Sequence, residues 1–294
     1  MAHDETGKNA NLKGQLVDIG DTRLFVEKRG AGRPLIILHG GPGLDHRMFG
    51  DYLDALADNH QLIFVDQRSQ GRSEQAPEDT WSLKHMAEDV VKLADALQLV
   101  EYVVLGHSYG ALVALQNAVD FPGQAAMSII SSGFPSARFL DHVDKSLKSF
   151  EPAELREQVT ASWEKETEVE TAEQVAELLK DQLPFHFANP MDPLITEYGE
   201  RASGTIYSPD VLRFFAKQEY GGIEVEDRLG EVTQPTLVLA GRHDRACSVA
   251  ASEAIAAGIS NSDMFVFENS AHMTFVEENH AYLAAVRKFL GSQD

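Results

Sequence analysis

Residues 106–110 read Gly106-His107-Ser108-Tyr109-Gly110, the Gly-x-Ser-x-Gly pattern in which one serine hydroxyl is set apart as a nucleophile. Before it stands a short apolar run, Val103-Val104-Leu105; after it come Ala111 to Leu115, a sequence suited to a buried helix. A strand that turns abruptly into a helix cannot carry side chains two residues either side of the turn, which accounts for Gly106 and Gly110. The serine is then held in a strained conformation, its hydroxyl projecting from the sheet and the free N–H groups of the helix start facing the reaction centre. A serine hydroxyl attacks a carbonyl only when a base removes its proton. His272 is the candidate base, and Asp244 the candidate acid that orients the imidazole and stabilises its charged form. His243 competes as base but adjoins the orienting acid, a poor position from which to reach Ser108. The segment His39-Gly40-Gly41-Pro42-Gly43 follows an apolar strand and can turn sharply enough to expose backbone N–H groups. The N–H groups of Gly41 and Tyr109 are the candidate oxyanion donors. His39 reads as an anchor of that loop.

The elements that would position these groups follow from the apolar pattern. Gln15 to Ile19 and Arg23 to Lys28 flank Gly20-Asp21-Thr22 as a hairpin. Pro34 to Leu38, Gln61 to Val65, Ala126 to Ile130, Pro235 to Ala240 and Met264 to Phe267 read as strands, the first two wholly or largely apolar and buried. Ser82 caps a helix whose apolar residues Leu83, Met86, Val90, Leu93 and Leu97 keep helical spacing, and a last amphipathic helix covers about Glu277 to Leu290. Strands alternating with helices predict a mainly parallel central sheet with helices on both faces, with ligands bound beyond the carboxyl ends of the strands. Ser108, Asp244 and His272 all fall at such ends, in the chain order Ser, Asp, His. Asp66, also at a strand end, reads as structural, with Arg68 as its ready partner. From about Pro135 the texture changes to helix-forming and acid-rich, with nine glutamates between Glu151 and Lys180. The predicted organisation is therefore an α/β core of residues 1–134 and 229–294 with an inserted helical cap, 135–228. The glutamates read mostly as a solvated face. Trp163, Tyr207, Asp210 and Met273 are the candidates to line a substrate pocket.

Composition narrows the partners. Over 294 residues the 46 acidic and 25 basic side chains leave a formal charge of −21, which weighs against nucleic acid and anionic membranes. Cys247 is the single cysteine, so no intramolecular disulfide forms and a reducing compartment is expected. Met1 to Gly14 is polar and lacks the apolar stretch of a signal peptide, and no run reaches the length of a membrane span. These features predict a cytoplasmic protein with a loose N-terminus. His39, His107, His243 and His272 make no metal-ligand spacing, so no metal is expected. Oligomeric state is left open.

At this point the chain resembles the α/β-hydrolase superfamily over essentially its whole length, and within it the proline iminopeptidase branch. The resemblance rests on His39-Gly40-Gly41-Pro42-Gly43, on Asp66-Gln67-Arg68 with Gly71 and Ser73, and on Gly241-Arg242-His243-Asp244. Members of that branch are serine exopeptidases, amidases or esterases, with a helical cap whose acidic residues hold the substrate's free amine. The resemblance implies Ser108, Asp244 and His272 as triad, with Gly41 and Tyr109 as oxyanion donors, and an acyl-enzyme on the way to cleavage of an amide or ester in a small-molecule or short-peptide substrate, with no metal or organic cofactor. Three departures stand out. Ser69 replaces the usual glycine after Asp-Gln-Arg. The elbow is Gly-His-Ser-Tyr-Gly where true iminopeptidases usually have Gly-Gly-Ser-Trp-Gly, and His107 is common in esterases and carbon–carbon bond hydrolases. Ser208-Pro209-Asp210-Val211 stands where the branch often has Gly-Pro-Ser-Glu, so Val211 occupies the position of the amine-binding glutamate and Asp210 is its possible substitute. A carboxylesterase or lactonase on the same framework is the alternative, as is a triad-retaining binding or receptor protein of the same fold.

Overall fold

The computed structural model describes residues 14–291, and the expectation for the polar N-terminal stretch lies outside them except at Gly14. One eight-stranded sheet forms the centre, in the order β1-β2-β4-β3-β5-β6-β7-β8. Strands β1 (Gln15–Asp18) and β2 (Arg23–Arg29) are the antiparallel hairpin, closed by a turn in which Ile19 N–H donates to the Thr22 carbonyl at 3.0 Å. The hairpin joins the sheet antiparallel to β4. The rest is parallel: β3 (Arg33–Leu38), β4 (His60–Val65), β5 (Val103–His107), β6 (Met127–Ser131), β7 (Thr236–Gly241) and β8 (Ser262–Phe267).

The inner strands β3 to β7 are mostly apolar because both faces are covered, whereas β8, at the edge of the sheet, leaves Asp263 and Phe265 exposed. Side chains of a strand alternate between faces, and the core divides accordingly. Ile36, Leu38 and Val104 join one buried cluster with Leu93, Leu115 and Ile255; Leu35, Ile37, Val103 and Leu105 join another with Phe49, Leu53, Val286 and Leu290. The first face is thus covered by α1 (Leu83–Ala96), α2 (Tyr109–Asp120) and α8 (Val249–Gly258). The second is covered by residues 46–58 and by the last helix. Ser82 caps α1 as expected, its hydroxyl accepting from His85 N–H.

Between β6 and β7 the chain runs through α3 (Asp141–Lys148), α4 (Ala153–Lys165), α5 (Ala172–His186), α6 (Leu194–Arg201) and α7 (Pro209–Ala216). The two ends of this excursion clasp each other: Ala137 N–H donates to Ile223 O and Val225 N–H to Pro135 O, both at 2.9 Å. After β8, a short α9 (Thr274–Glu277) leads into α10 (Asn279–Gly291). Among the described residues no helix is long and apolar enough to cross a membrane.

One detail corrects the sequence reading. Asp66 is structural, but Arg68 is not its partner. Arg68 is buried and pairs with Asp89 through Nε (2.9 Å) and Nη2 (2.5 Å), and with Asp21 at 2.9 Å. Asp66 instead accepts from the backbone N–H of His46 at 3.0 Å and pairs with the His46 ring at 2.5 Å, while its other oxygen accepts from Arg72 N–H. Burial opposes a charged His46, yet the hydrogen bond with Asp66 and the nearby Glu27 carboxylate, 3.5 Å from Nε2, outweigh it and raise the imidazole to about 9. Ser69, in the place of a glycine, does adopt a glycine-like φ of 63°. Its hydroxyl accepts from Ala76 N–H at 2.9 Å and from the Trp81 indole at 2.8 Å, two bonds a glycine would lack.

Candidate active site

The turn between β5 and α2 places Ser108 at φ 56°, ψ −121°, one of the few non-glycine residues with positive φ. The flanking glycines are required by contact. A Cβ on Gly106 would lie 2.0 Å from the Gly110 carbonyl oxygen, and one on Gly110 would lie 2.2 Å from that of Leu38. Neither approach is possible for a side chain, so the tight crossing of β5, α2 and β3 itself selects glycine. The Ser108 N–H is tied to Ser131 O at 2.9 Å, which fixes the turn to the neighbouring strand.

Asp244 and His272 arrive on the loops after β7 and β8, 28 residues apart in sequence, and meet with Asp244 Oδ2 2.8 Å from His272 Nδ1. The other carboxylate oxygen, Oδ1, accepts from the N–H groups of Ala246 and Cys247 at 2.8 Å each. Burial alone would raise the Asp244 carboxyl; the neighbouring His272 and these two N–H groups outweigh it and hold it below the usual carboxylate range. Asp244 and His272 are both buried, whereas the competing His243 is exposed.

Ser108 and His272 line one cavity of about 360 Å³, together with Gly41, Tyr109, Trp163, Tyr207 and Met273. The structure thus gathers every expected pocket residue except Asp210. That residue sits exposed in the first turn of α7 and pairs with Arg213, one helical turn on, away from the cavity. Val211, Leu212 and Phe215 take the buried face of the helix instead.

Among the described residues neither the Gly41 nor the Tyr109 backbone N–H has a hydrogen-bond partner, while Gly40 N–H is 2.9 Å from the Met48 sulfur. Gly41 has φ 116°. His39 anchors the loop: its Nε2 accepts from Gln67 N–H at 3.1 Å, and Gln67 Nε2 donates to the His39 carbonyl at 2.8 Å.

Two imidazoles flank His272. The His107 ring lies 5.1 Å from it on the core side and the His186 ring 4.9 Å from it on the side of the inserted helices. Burial drives both well below the ordinary histidine value, His186 to about 3, so both are neutral neighbours of the candidate base.

Sequence reasoning missed Glu166. Among the described residues lining the cavity it is the one carboxylate, buried and accepting from Gln182 Nε2 at 2.7 Å and from the Tyr220 hydroxyl at 2.5 Å. Burial raises its carboxyl to about 7 despite those two bonds. The available signal was its spacing of three from Trp163, which puts both on one side of the end of α4. The Trp163 indole N–H is buried without a partner among the described residues.

Among the described residues, two sets of side chains bring possible metal-ligand atoms within 4.8 Å of one another: Asp244, Cys247 and His272, and Asp45, His46 and Asp66. In each set the histidine Nδ1 is already hydrogen-bonded to a carboxylate of the same set.

The family described as alpha/beta hydrolase fold matches residues 33–279. A proline iminopeptidase of Clostridium botulinum is 30% identical over 92% of this chain and 94% of its own length. Among solved structures, an alpha/beta fold family hydrolase of Bacillus anthracis superposes with a TM-score of 0.79 at 21% identity, covering 94% of this chain and 99% of that one. An esterase of Exiguobacterium antarcticum does so with a TM-score of 0.73 at 22% identity, covering 95% and 100%.

Proposed function

The chain belongs to the α/β-hydrolase fold family, and from that premise we propose that it is a serine hydrolase that cleaves a small amide or ester through an acyl-enzyme. The observation that carries the reading is the convergence on one cavity of a serine at an elbow and a histidine bonded to a buried carboxylate. In this reading His272 takes the Ser108 proton as the hydroxyl attacks the substrate carbonyl, and Asp244 keeps the imidazole's proton on Nδ1. The tetrahedral oxyanion is held by the N–H groups of Gly41 and Tyr109, and His272 then returns the proton to the leaving group. Water repeats the cycle on the acyl-enzyme. The helices of residues 135–228 act as the cap and supply the substrate-facing wall, since the triad itself reads only a carbonyl. A fluorophosphonate probe tests the first step: it should label the protein at Ser108, and absence of labelling there would refute an activated serine.

Gly41→Val tests the oxyanion assignment. A β-branched residue is strained at φ 116°, and its Cβ would crowd Gly43 N at 3.0 Å and Leu44 Cδ1 at 3.1 Å. Moving the loop displaces one donor, for which kcat should fall by about 10²–10³ with little change in KM. An unchanged kcat would remove Gly41 from the oxyanion site.

For the substrate, the relatives' name and the buried Glu166 support an aminopeptidase of the proline iminopeptidase type, in which Glu166 receives a free ammonium group. Asp210, exposed and paired, is withdrawn from that role. An ammonium needs the carboxylate ionised, and Glu166 loses its proton only as pH rises through about 7. The KM of a prolyl or alanyl arylamide should therefore fall as pH rises through that value, while KM for a short acyl nitrophenyl ester stays flat. Glu166→Gln should raise the arylamide KM about 10- to 100-fold, the worth of a hydrogen bond to a charged group. N-acetylation of the arylamide should abolish its cleavage. One observation favours an esterase instead: both Glu166 oxygens already accept hydrogen bonds, and burial favours the neutral acid. Equal rates with and without the amine, or turnover of the ester alone, would decide for that reading.

A further inference from the structure

We propose that the C-terminal end of α5, residues 185–188, is a third support of the Asp244–His272 pair, with Arg245 and Glu277 as the positioning residues that hold it in place. The proposal rests on the serine-hydrolase reading above and adds a part to its machinery.

An α-helix leaves its last carbonyls without intrahelical partners. Helix α5 ends at His186, and Phe187 leaves it with extended backbone, φ −109° and ψ 145°. The carbonyls of its last two residues, Phe185 and His186, are not closed by a local turn. They are taken up by the two loops that carry the candidate acid and base. The His186 carbonyl accepts from the backbone N–H of His272 itself at 3.0 Å and from Met273 N–H at 3.3 Å. Arg245, the residue after Asp244, donates from Nη1 to Phe185 O (3.1 Å) and Phe187 O (2.7 Å) and from Nη2 to Ala188 O (3.2 Å). Glu277 closes the other side, its carboxylate accepting from Ala188 N–H at 2.7 Å and from Ala271 N–H at 2.8 Å. A guanidinium at the negative end of a helix is also favourably placed toward the helix dipole.

The consequence is mechanical. Asp244 and His272 sit on separate loops, and a short hydrogen bond between their side chains weakens steeply when its angle opens. The segment 185–188 is bonded to both loops at once and sets the spacing between them. On the far side, the His142 ring of α3 lies 2.9 Å from the Asp244 carbonyl and adds a second tie from the inserted helices. The end of α5 therefore cannot swing aside as a lid without removing the partner of His272's own N–H. Motion that admits substrate has to leave it in place.

The experiment uses Arg245→Met, which keeps the bulk and removes the donors, Arg245→Lys as the conservative variant, and Glu277→Gln, which sets an amide NH₂ against Ala188 or Ala271 N–H. Misplacement of a catalytic group by about 1 Å costs on the order of 10² in rate. In Arg245→Met and Glu277→Gln, kcat and the rate of fluorophosphonate labelling at Ser108 should fall together by about 10- to 100-fold, with KM within about twofold. Lysine at 245 should recover part of the loss. The downfield proton resonance of the Asp244–His272 hydrogen bond should shift or broaden in proportion. Thermal melts identify which variants are folded, and if Arg245→Met is not, the lysine and glutamine variants carry the test. Folded variants with wild-type kcat and labelling, or a change in KM alone, would overturn the proposal. Failure of the wild-type protein to label at Ser108 would instead overturn the serine-hydrolase reading beneath it.

Discussion

Ser108→Ala should lower kcat on the order of 10⁵–10⁶-fold and leave the protein folded, because in the proposed mechanism the hydroxyl forms the covalent intermediate. The backbone bond from Ser108 N–H to Ser131 O and the glycine crossing on either side do not involve that hydroxyl. Serine already bears the strain of φ 56°, and alanine carries the same Cβ, so the melting temperature should change little. His272→Ala should cost about as much, and the double variant no more than either single one, since nucleophile and base act as one unit. Turnover of a nitrophenyl ester with all three variants, together with loss of fluorophosphonate labelling, is the measurement. Near-normal activity in Ser108→Ala would send the nucleophile elsewhere in the cavity. Multiplying losses in the double variant would show that Ser108 and His272 work separately.

The elbow was legible because its geometry admits so few residues: the crossing of β5, α2 and β3 leaves no room for a Cβ at 106 or 110. The inner parallel strands were legible for a related reason, since burial on both faces leaves apolar runs with no alternation, whereas the edge strand β8 alternates, with Asp263 and Phe265 exposed. What was not legible depends on chain segments that meet only after folding. His46 reaches Asp66 from 20 residues upstream, its ring placed between those of Phe25 and Phe64, and no local spacing announces that pairing. Arg68, two residues from Asp66, turns instead to Asp89 on α1.

The acid of the pocket was misplaced by the same kind of ambiguity. Asp210 lies in the first turn of α7, where a carboxylate is at home by the helix dipole and pairs outward with Arg213, while helical periodicity turns Val211 and Leu212 inward. Glu166 was hidden in a run of nine glutamates whose neighbours do face solvent. A single buried member of a charged run differs from the rest only through its partners, here Gln182 from α5 and Tyr220 from beyond α7.

Asp244→Asn should cost on the order of 10⁴ in kcat, because it selects the wrong tautomer of His272. The surroundings of Asp244 dictate how an asparagine would sit. Oδ1 faces the N–H groups of Ala246 and Cys247, both at 2.8 Å, and only an oxygen can accept from them. The asparagine carbonyl must keep that place, which turns its NH₂ toward His272 Nδ1, now 2.8 Å from Oδ2. A donor facing Nδ1 requires that nitrogen to be the acceptor, so the ring proton moves to Nε2 and the base can no longer take the serine proton. The opposite flip would set NH₂ against two N–H groups at a buried site, a larger cost. The variant should therefore be folded, normal in KM and nearly inactive, with the proton visible on Nε2 by nitrogen NMR. Activity within about tenfold of wild type would mean that another acid orients the base. Asp66 would be the first candidate by its place at a strand end, but its pairing with His46 already engages it, so Asp66→Asn in the same assay should not reproduce the loss.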